Sequence, residues 1–274
     1  MADIANNDLS GVAESLLLPL YIRALETSRP NAILKDERAV ELIKKLNFSL
    51  STFTQAQVSE EVKVSILLRN RQFDIITRNF LSHHPNATVV SLGCGLDSRF
   101  ERLDNGQTVW FDLDLPEVID LRRKLIGDEI ERYHLLAGSA LDLIWMDAVS
   151  IHRSSQCLFL AEGLFMFFEE HQVRDLILAI NTRFPNSELV FDAFSPFYAW
   201  GNNRRAARTH IGAEANWALK DGKNLENWAK GIHLLDEWYP FLCPEPRLAH
   251  LRWVRFIPLL GKSTGIFHYM LSGY

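Results

Sequence analysis

The residues best suited to chemistry lie in one short run, Val90-Ser91-Leu92-Gly93-Cys94-Gly95-Leu96-Asp97-Ser98-Arg99. Apolar residues lead into two glycines with one residue between them. A buried strand that ends in such a turn delivers backbone to the carboxyl edge of an open α/β sheet, where ligands of that architecture bind. Glycine there lets a ligand approach the main chain without meeting a Cβ. A G-x-G turn is also an ordinary way to leave a strand, so its meaning depends on the next strand of the chain.

That strand ends in Phe111-Asp112-Leu113-Asp114, with carboxylates 19 and 21 residues beyond Gly93. A carboxylate at the tip of the second strand can accept both hydroxyls of a ribose. Dinucleotides and S-adenosylmethionine share that ribose, and the third glycine separates them. A pyrophosphate binder needs G-x-G-x-x-G/A so that the helix N-terminus can meet the anion. Here that position is Ser98, preceded by Asp97. An acid beside the turn repels a pyrophosphate and suits the ammonium of an amino-acid moiety. The pattern favours S-adenosylmethionine over a nicotinamide cofactor. The plain alternative for Asp97 is a helix cap.

The elements that must carry these residues can be read from hydrophobic periodicity. Residues 1–87 read as a helical segment. Ala39, Leu42, Ile43 and Leu46 recur at helical spacing behind the capping residue Asp36, and Val62, Ile66, Leu67, Phe73, Ile76, Phe80 and Leu81 form a second run. From Thr88 the texture changes to short apolar strands alternating with helical stretches. Strands are expected at 88–92, 108–111, 134–137, 157–161, 188–191, 232–235 and 265–271, with helices opening at Pro116 and spanning Glu169–Phe184. Residues 247–257 fit either period and are assigned to helix. Such alternation predicts a mostly parallel seven-stranded sheet covered on both faces, in an α/β domain over 88–274. The polar, Trp-bearing stretch 195–230 reads as a lid inserted into that domain.

The combined motifs resemble the leucine carboxyl methyltransferase family, in particular its bacterial branch of polyketide carboxyl O-methyltransferases. The resemblance rests on Leu92–Arg99 and Trp110–Ile119. It extends to Tyr21-Ile22-Arg23-Ala24, Asp36, Arg69-Asn70-Arg71-Gln72-Phe73-Asp74, Leu160-Ala161-Glu162-Gly163 and Phe191-Asp192. It implies a Rossmann-like class I methyltransferase with S-adenosylmethionine as cofactor. By position it implies that Arg69 pairs with the methionyl carboxylate, a task suited to a guanidinium fork, with Arg23 in a similar part. It places Gly93 and Gly95 on the cofactor turn, Asp114 on the ribose with Asp112 beside it, Ser139 and Ala140 near the adenine, and Glu162 close to the bound cofactor.

Methyl transfer from a sulfonium needs alignment and a dry site. A carboxylate acceptor is ionised at neutral pH and needs no general base, whereas a hydroxyl needs one within hydrogen-bond reach. No catalytic dyad stands out. For a hydroxyl acceptor the candidate bases are His210, His233 and Asp192. For a carboxylate, Arg204, Arg205 and Arg208 of the lid offer cations, and Tyr198 and Trp200 offer flat apolar surface for a small, polyketide-like substrate.

Composition narrows the remaining classes. The chain has 274 residues and a net charge of −5, which argues against a broad phosphate-binding surface for nucleic acid. Cys94, Cys157 and Cys243 have no zinc or C-x-x-C spacing, no H-x-x-x-H pattern marks a metal site, and the longest early apolar run, Leu16–Ile22, is too short for a bilayer. A metal-free cytoplasmic enzyme is expected, and the sequence leaves its oligomeric state open. Three alternatives stay in play: a protein C-terminal carboxyl methyltransferase, a nicotinamide-dependent oxidoreductase and a non-catalytic cofactor-binding module.

Overall fold

The computed structural model describes residues 13–46, 58–127, 129–152, 156–209 and 214–273. The chain runs α1 (Ala13–Thr27), α2 (Glu37–Lys45), α3 (Glu60–His83), β1 (Thr88–Leu92), α4 (Arg99–Leu103), β2 (Val109–Asp114), α5 (Pro116–Ile126) and β3 (Tyr133–Ala137). It continues through α6 (Trp145–His152), β4 (Cys157–Ala161), α7 (Glu170–Arg183), β5 (Ser187–Phe194), α8 (Pro196–Thr209), β6 (Ile232–Trp238), α9 (Pro258–Gly261) and β7 (Thr264–Leu271).

The strands form one sheet in the order β3-β2-β1-β4-β5-β7-β6. Among the described strands β7 alone runs opposite to the other six, antiparallel to both β5 and β6. The order reverses between β1 and β4, which opens a crevice at the carboxyl ends of those strands. Both faces of the sheet are covered. Val90, Leu92, Phe111, Phe159 and Phe191 pack on one side against Trp145 and Val149 of α6 and Val173, Ile177 and Ile180 of α7. Val89, Trp110, Leu158, Leu160 and Val190 pack on the other against Phe73 and Phe80 of α3, Phe100 of α4 and Ile119 of α5. The two sets alternate along each strand because successive side chains leave opposite faces. Burial on both sides explains why these strands read as unbroken apolar runs.

Local chemistry sets the helix ends. The Asp36 carboxylate accepts from Ala39 N at 2.9 Å and starts α2. Pro116 opens α5, where its missing N–H costs no hydrogen bond. Glu169 and Gln172 form a reciprocal capping box at α7. A third cluster joins α1 and α2 to the sheet domain: Leu17, Leu20, Ala39 and Leu42 meet Leu96 of the glycine turn and Leu121 and Leu125 of α5.

Several bounds differ from the expectation. Strand β2 runs on to Asp114, because β1 pairs with it up to Leu113 and β3 up to Asp114 itself. Strand β5 reaches Phe194 because antiparallel β7 pairs with it along its whole length. Residues 246–256 form a 3-10 helix, opened by Pro246. The stretch 195–230 is not a lid throughout. Its first part is α8, while Trp217, Leu219 and Leu225 are buried in the α7 side of the core.

Candidate active site

The G-x-G turn sits at the tip of β1, under the crevice. Gly93 and Cys94 both donate their N–H to Leu113 O, at 2.8 and 3.1 Å, which bends the chain back over β2. Gly93 has φ +65° and Gly95 φ +52°, a region that disfavours any side chain. Space is also closed. A Cβ on Gly93 would lie 2.9 Å from Leu164 Cδ1, and one on Gly95 would lie 3.0 Å from Leu16 Cδ2. Between the glycines the Cys94 thiol is buried, and burial pushes its pKa up, so it is no nucleophile.

The two carboxylates of β2 have different surroundings. Asp114, at the strand tip, accepts from Gly95 N at 2.7 Å and from Leu115 N at 2.7 Å. It is thereby tied to the glycine turn, and each oxygen keeps a lone pair. Burial raises its pKa, against the two backbone donors. The neighbouring tip of β3 is fixed to it, since Gly138 N donates to Asp114 O at 2.9 Å. Ser139 comes next, with its Oγ accepting from Leu141 N, while Ala140 O accepts from Trp145 Nε1. Asp112 is a different matter. It is buried and accepts from Trp110 Nε1 at 2.9 Å, from Tyr133 Oη at 2.6 Å and from Arg122. Its oxygens are consumed inside the fold, which corrects the expectation that it lines the cofactor.

A network of alternating charge links the N-terminal helices to the sheet. Glu162, at the end of β4, accepts from Arg69 Nε at 2.9 Å, Asn70 Nδ2 at 2.7 Å and Arg99 at 2.7 Å. Arg69 also donates to Asp192 Oδ2 at 3.0 Å. Burial opposes the Arg69 charge, yet the Asp192 and Glu162 carboxylates hold it firmly protonated. Arg99 bonds Asp74 and pairs with Asp97 at 2.6 Å; Arg102 bridges Asp36, Asp74 and Asp97. Asp97 is therefore held well below the usual carboxylate range: burial opposes ionisation, and Arg99, Arg102, Arg23 and Arg122 outweigh it. Paired charges of this kind are how buried ions are tolerated.

Two further expectations change here. Arg23 is buried, and its nitrogens reach Asp36, Asn70 Oδ1 and Leu96 O, the last at 2.7 Å. It braces the glycine turn from below and presents no guanidinium to a ligand. Asp192 is 0% exposed and accepts from Gly163 N as well as Arg69. Burial raises its pKa against the pull of Arg69. Shut away from solvent, it supports Arg69 and has no path to a substrate hydroxyl.

The substrate-side residues are scattered. Trp200 on α8 is 57% exposed, with the Arg204 guanidinium 4.8 Å above its ring. Tyr198 packs on Phe194 at the end of β5, and Arg205 donates to Asn202. His210 and the side chain of Arg208 lie outside the described residues. His233 is exposed near the start of β6, in register with Met270, which in turn faces Glu188 near the start of β5. That is the far end of the sheet from the crevice, so His233 is no catalytic base.

Asp74, Arg99, Arg102 and Arg122 went unassigned in the sequence. Arg122 left a readable trace, a cation on the apolar stripe of α5 with Val118, Ile119 and Leu125. Asp74 left a similar one among Asn70, Phe73 and Thr77 on the buried face of α3.

Sheet order, the lone antiparallel strand, the glycine turn and the carboxylate at the tip of β2 define a Rossmann-like class I methyltransferase. The chain belongs to the leucine carboxyl methyltransferase family, whose sequence pattern matches residues 17–181, and its cofactor is S-adenosylmethionine. It is 31% identical over 270 residues to the tetracenomycin polyketide synthesis O-methyltransferase TcmP of Streptomyces glaucescens, covering 95% of this chain and 97% of that one. It is 28% identical over 267 residues to the S-adenosyl-L-methionine-dependent methyltransferase dpfgK of Gibberella zeae, covering 90% and 88%. Two solved structures share the fold. A DUF574 family protein from Streptomyces avermitilis superposes with TM-score 0.61 at 12% identity, over 93% of this chain and 96% of that one. Magnesium protoporphyrin IX methyltransferase from Synechocystis, with bound SAH, gives 0.50 at 10% identity, over 86% and 100%. No helix among the described residues is long and apolar enough to cross a membrane.

Proposed function

We propose that this chain methylates a carboxylate oxygen of a small, flat, polyketide-like molecule. The observation that carries the reading is the state of the acids nearest the crevice. Asp192 is fully buried behind Arg69, and Glu162 accepts three donors from Arg69, Asn70 and Arg99, so both orient other groups instead of taking a proton. A carboxylate acceptor arrives ionised and needs no proton removed. The likeness to TcmP, an O-methyltransferase of polyketide synthesis, supports an oxygen acceptor on a polyketide-like molecule.

S-adenosylmethionine supplies the electrophilic methyl group when bound. The residues present fit it. The positive-φ glycines leave backbone where a Cβ would clash. Asp114 keeps a lone pair on each oxygen for the ribose hydroxyls. Arg69 spends Nε and one N–H of NH1 on Glu162 and Asp192, which leaves NH2, beside Gly163, for the methionyl carboxylate. Asp97 stays ionised beside the turn, which suits the ammonium group. Ser139 and Ala140 edge the adenine side. On α8 the exposed Trp200, Arg204 and Arg205, with the half-buried Tyr198, offer stacking and charge to an aromatic acid.

The test is methyl-ester formation. The purified protein is incubated with S-adenosylmethionine and paired aromatic acids and phenols. Base-labile methyl esters are expected from the acids. Ethers from the phenols alone would replace the carboxylate reading with hydroxyl transfer, and methylation confined to a peptide with a free C-terminal carboxylate would make the substrate a protein.

A further inference from the structure

A second concave site lies on another face of α3, away from Glu162 and Asp192. Arg71, Asp74 and Arg78 stand at i, i+3 and i+7 and so share one stripe of the helix. Arg69 lies about 200° around the helix from Arg71. The stripe faces Leu34 and Lys35 of the segment between α1 and α2, and Arg102 of α4. Together they line a cavity of about 360 Å³, at the small end of ligand-binding pockets.

The charge balance of this cavity is one-sided. Four cations, Lys35, Arg71, Arg78 and Arg102, line it with a single carboxylate. That carboxylate is already spent: Asp74 Oδ1 accepts from Arg99 Nε at 2.7 Å and Oδ2 from Arg102 Nε at 2.9 Å. Lys35 and Arg78 have no carboxylate partner among the described residues. Among the described residues Arg71 reaches only Cys243 Sγ, at 3.6 Å, a weak acceptor. Surface cations usually point apart into solvent. Here two unneutralised guanidiniums and an ammonium converge on one cavity from two segments of the chain.

We propose that this cleft is an anion site that takes a phosphate group, free or carried on a small molecule. Guanidinium forks match phosphate oxygens in pairs, and the lysine adds a point charge. Arg71 and Arg78 are spaced about 10 Å along the helix axis, so the anion sits between them with Lys35 closing from the loop.

Calorimetric titration of the full chain with inorganic phosphate and with glycerol 3-phosphate, at constant ionic strength, tests this. Saturable one-site binding is expected, weakened at least tenfold by Arg78→Ala and by Lys35→Ala. Both side chains are exposed, so these variants keep the fold. Equal affinity for the two probes assigns the site to free phosphate; tighter binding of the ester assigns it to a phosphorylated molecule. The absence of saturable binding by either probe overturns the proposal, and so does binding that both variants leave unchanged. A parallel titration with saturating S-adenosylmethionine present keeps the cofactor reading separate. Phosphate binding persists if the anion occupies this cleft. Competition would place the anion at the glycine turn and defeat the proposal.

Discussion

Arg69 Nε donates to Glu162 Oε1 at 2.9 Å, across 93 positions of sequence. The bond ties the long helix that precedes the sheet to the tip of a central strand. Asp192, from the next strand, holds the same guanidinium at NH1. Three elements thus fix one fork before any ligand arrives, and a pre-oriented fork loses little entropy when it binds.

Replacing that fork by a point charge separates geometry from charge. Arg69→Lys keeps a cation but cannot serve Glu162, Asp192 and a ligand carboxylate at once. Its affinity for S-adenosylmethionine, measured by calorimetry, is expected to fall by about tenfold or more, roughly 1.4 kcal/mol. An unchanged dissociation constant would remove Arg69 from the cofactor site.

The two aspartates of β2 are expected to give opposite phenotypes. Asp114→Ala weakens cofactor binding more than about tenfold with little change in unfolding free energy. Asp112→Asn strips the buried Arg122 of its counter-charge and costs about 3–5 kcal/mol of stability. Denaturant melts and cofactor titrations on both variants read the contrast; a shared phenotype would contradict the separation seen in the structure.

Gly93→Ala combines a positive φ with a Cβ 2.9 Å from Leu164 Cδ1. The expected loss is about 1–3 kcal/mol. Adding Leu164→Ala relieves the steric part and leaves the backbone part, so the double variant recovers only a portion in urea melts. Full recovery would mean that the backbone conformation carries no cost there.

Acid should loosen the N-terminal helices first. Asp36 and Asp97 are both held below the ordinary aspartate range: burial opposes ionisation, and Arg23, Arg99 and Arg102 among others outweigh it. The folded carboxyls bind protons less readily than the unfolded ones. The stability they add is therefore complete above about pH 5 and is lost as pH falls below about 4. Thermal midpoints between pH 6 and pH 3 track this slope, and Asp36→Asn flattens it while lowering stability at neutral pH. A wild-type midpoint that is constant over that range would show these pairs to be energetically silent.

Strands β1 and β4 were legible to the residue, because burial on both faces leaves a continuous apolar run closed by a turn. The glycine turn and the pair of carboxylates closing β2 were legible from spacing, whereas the preference for Asp114 over Asp112 rested on the family resemblance. The roles of Arg23, Asp112 and Asp192 were not, since each depends on partners far away in sequence. Asp112 and Asp114 are chemically identical and two residues apart; only Arg122 and Tyr133, brought in by α5 and β3, bury one and leave the other at the tip. Residues 215–225 misled because a polar, Asn-rich setting concealed Trp217, Leu219 and Leu225, which reach the core from a connection and not from a periodic element.

Strand β7 lies between β5 and β6, and among the described residues β6 pairs with no other strand. During synthesis on the ribosome, five parallel strands can associate in the order they emerge, but β6 must wait, unpaired, until residues 264–271 have been made. Its edge then meets β7 on one side while β5 meets it on the other, in a single late event. Stalled or clipped chains that stop short of residue 264 would expose two bare strand edges, a template for self-association.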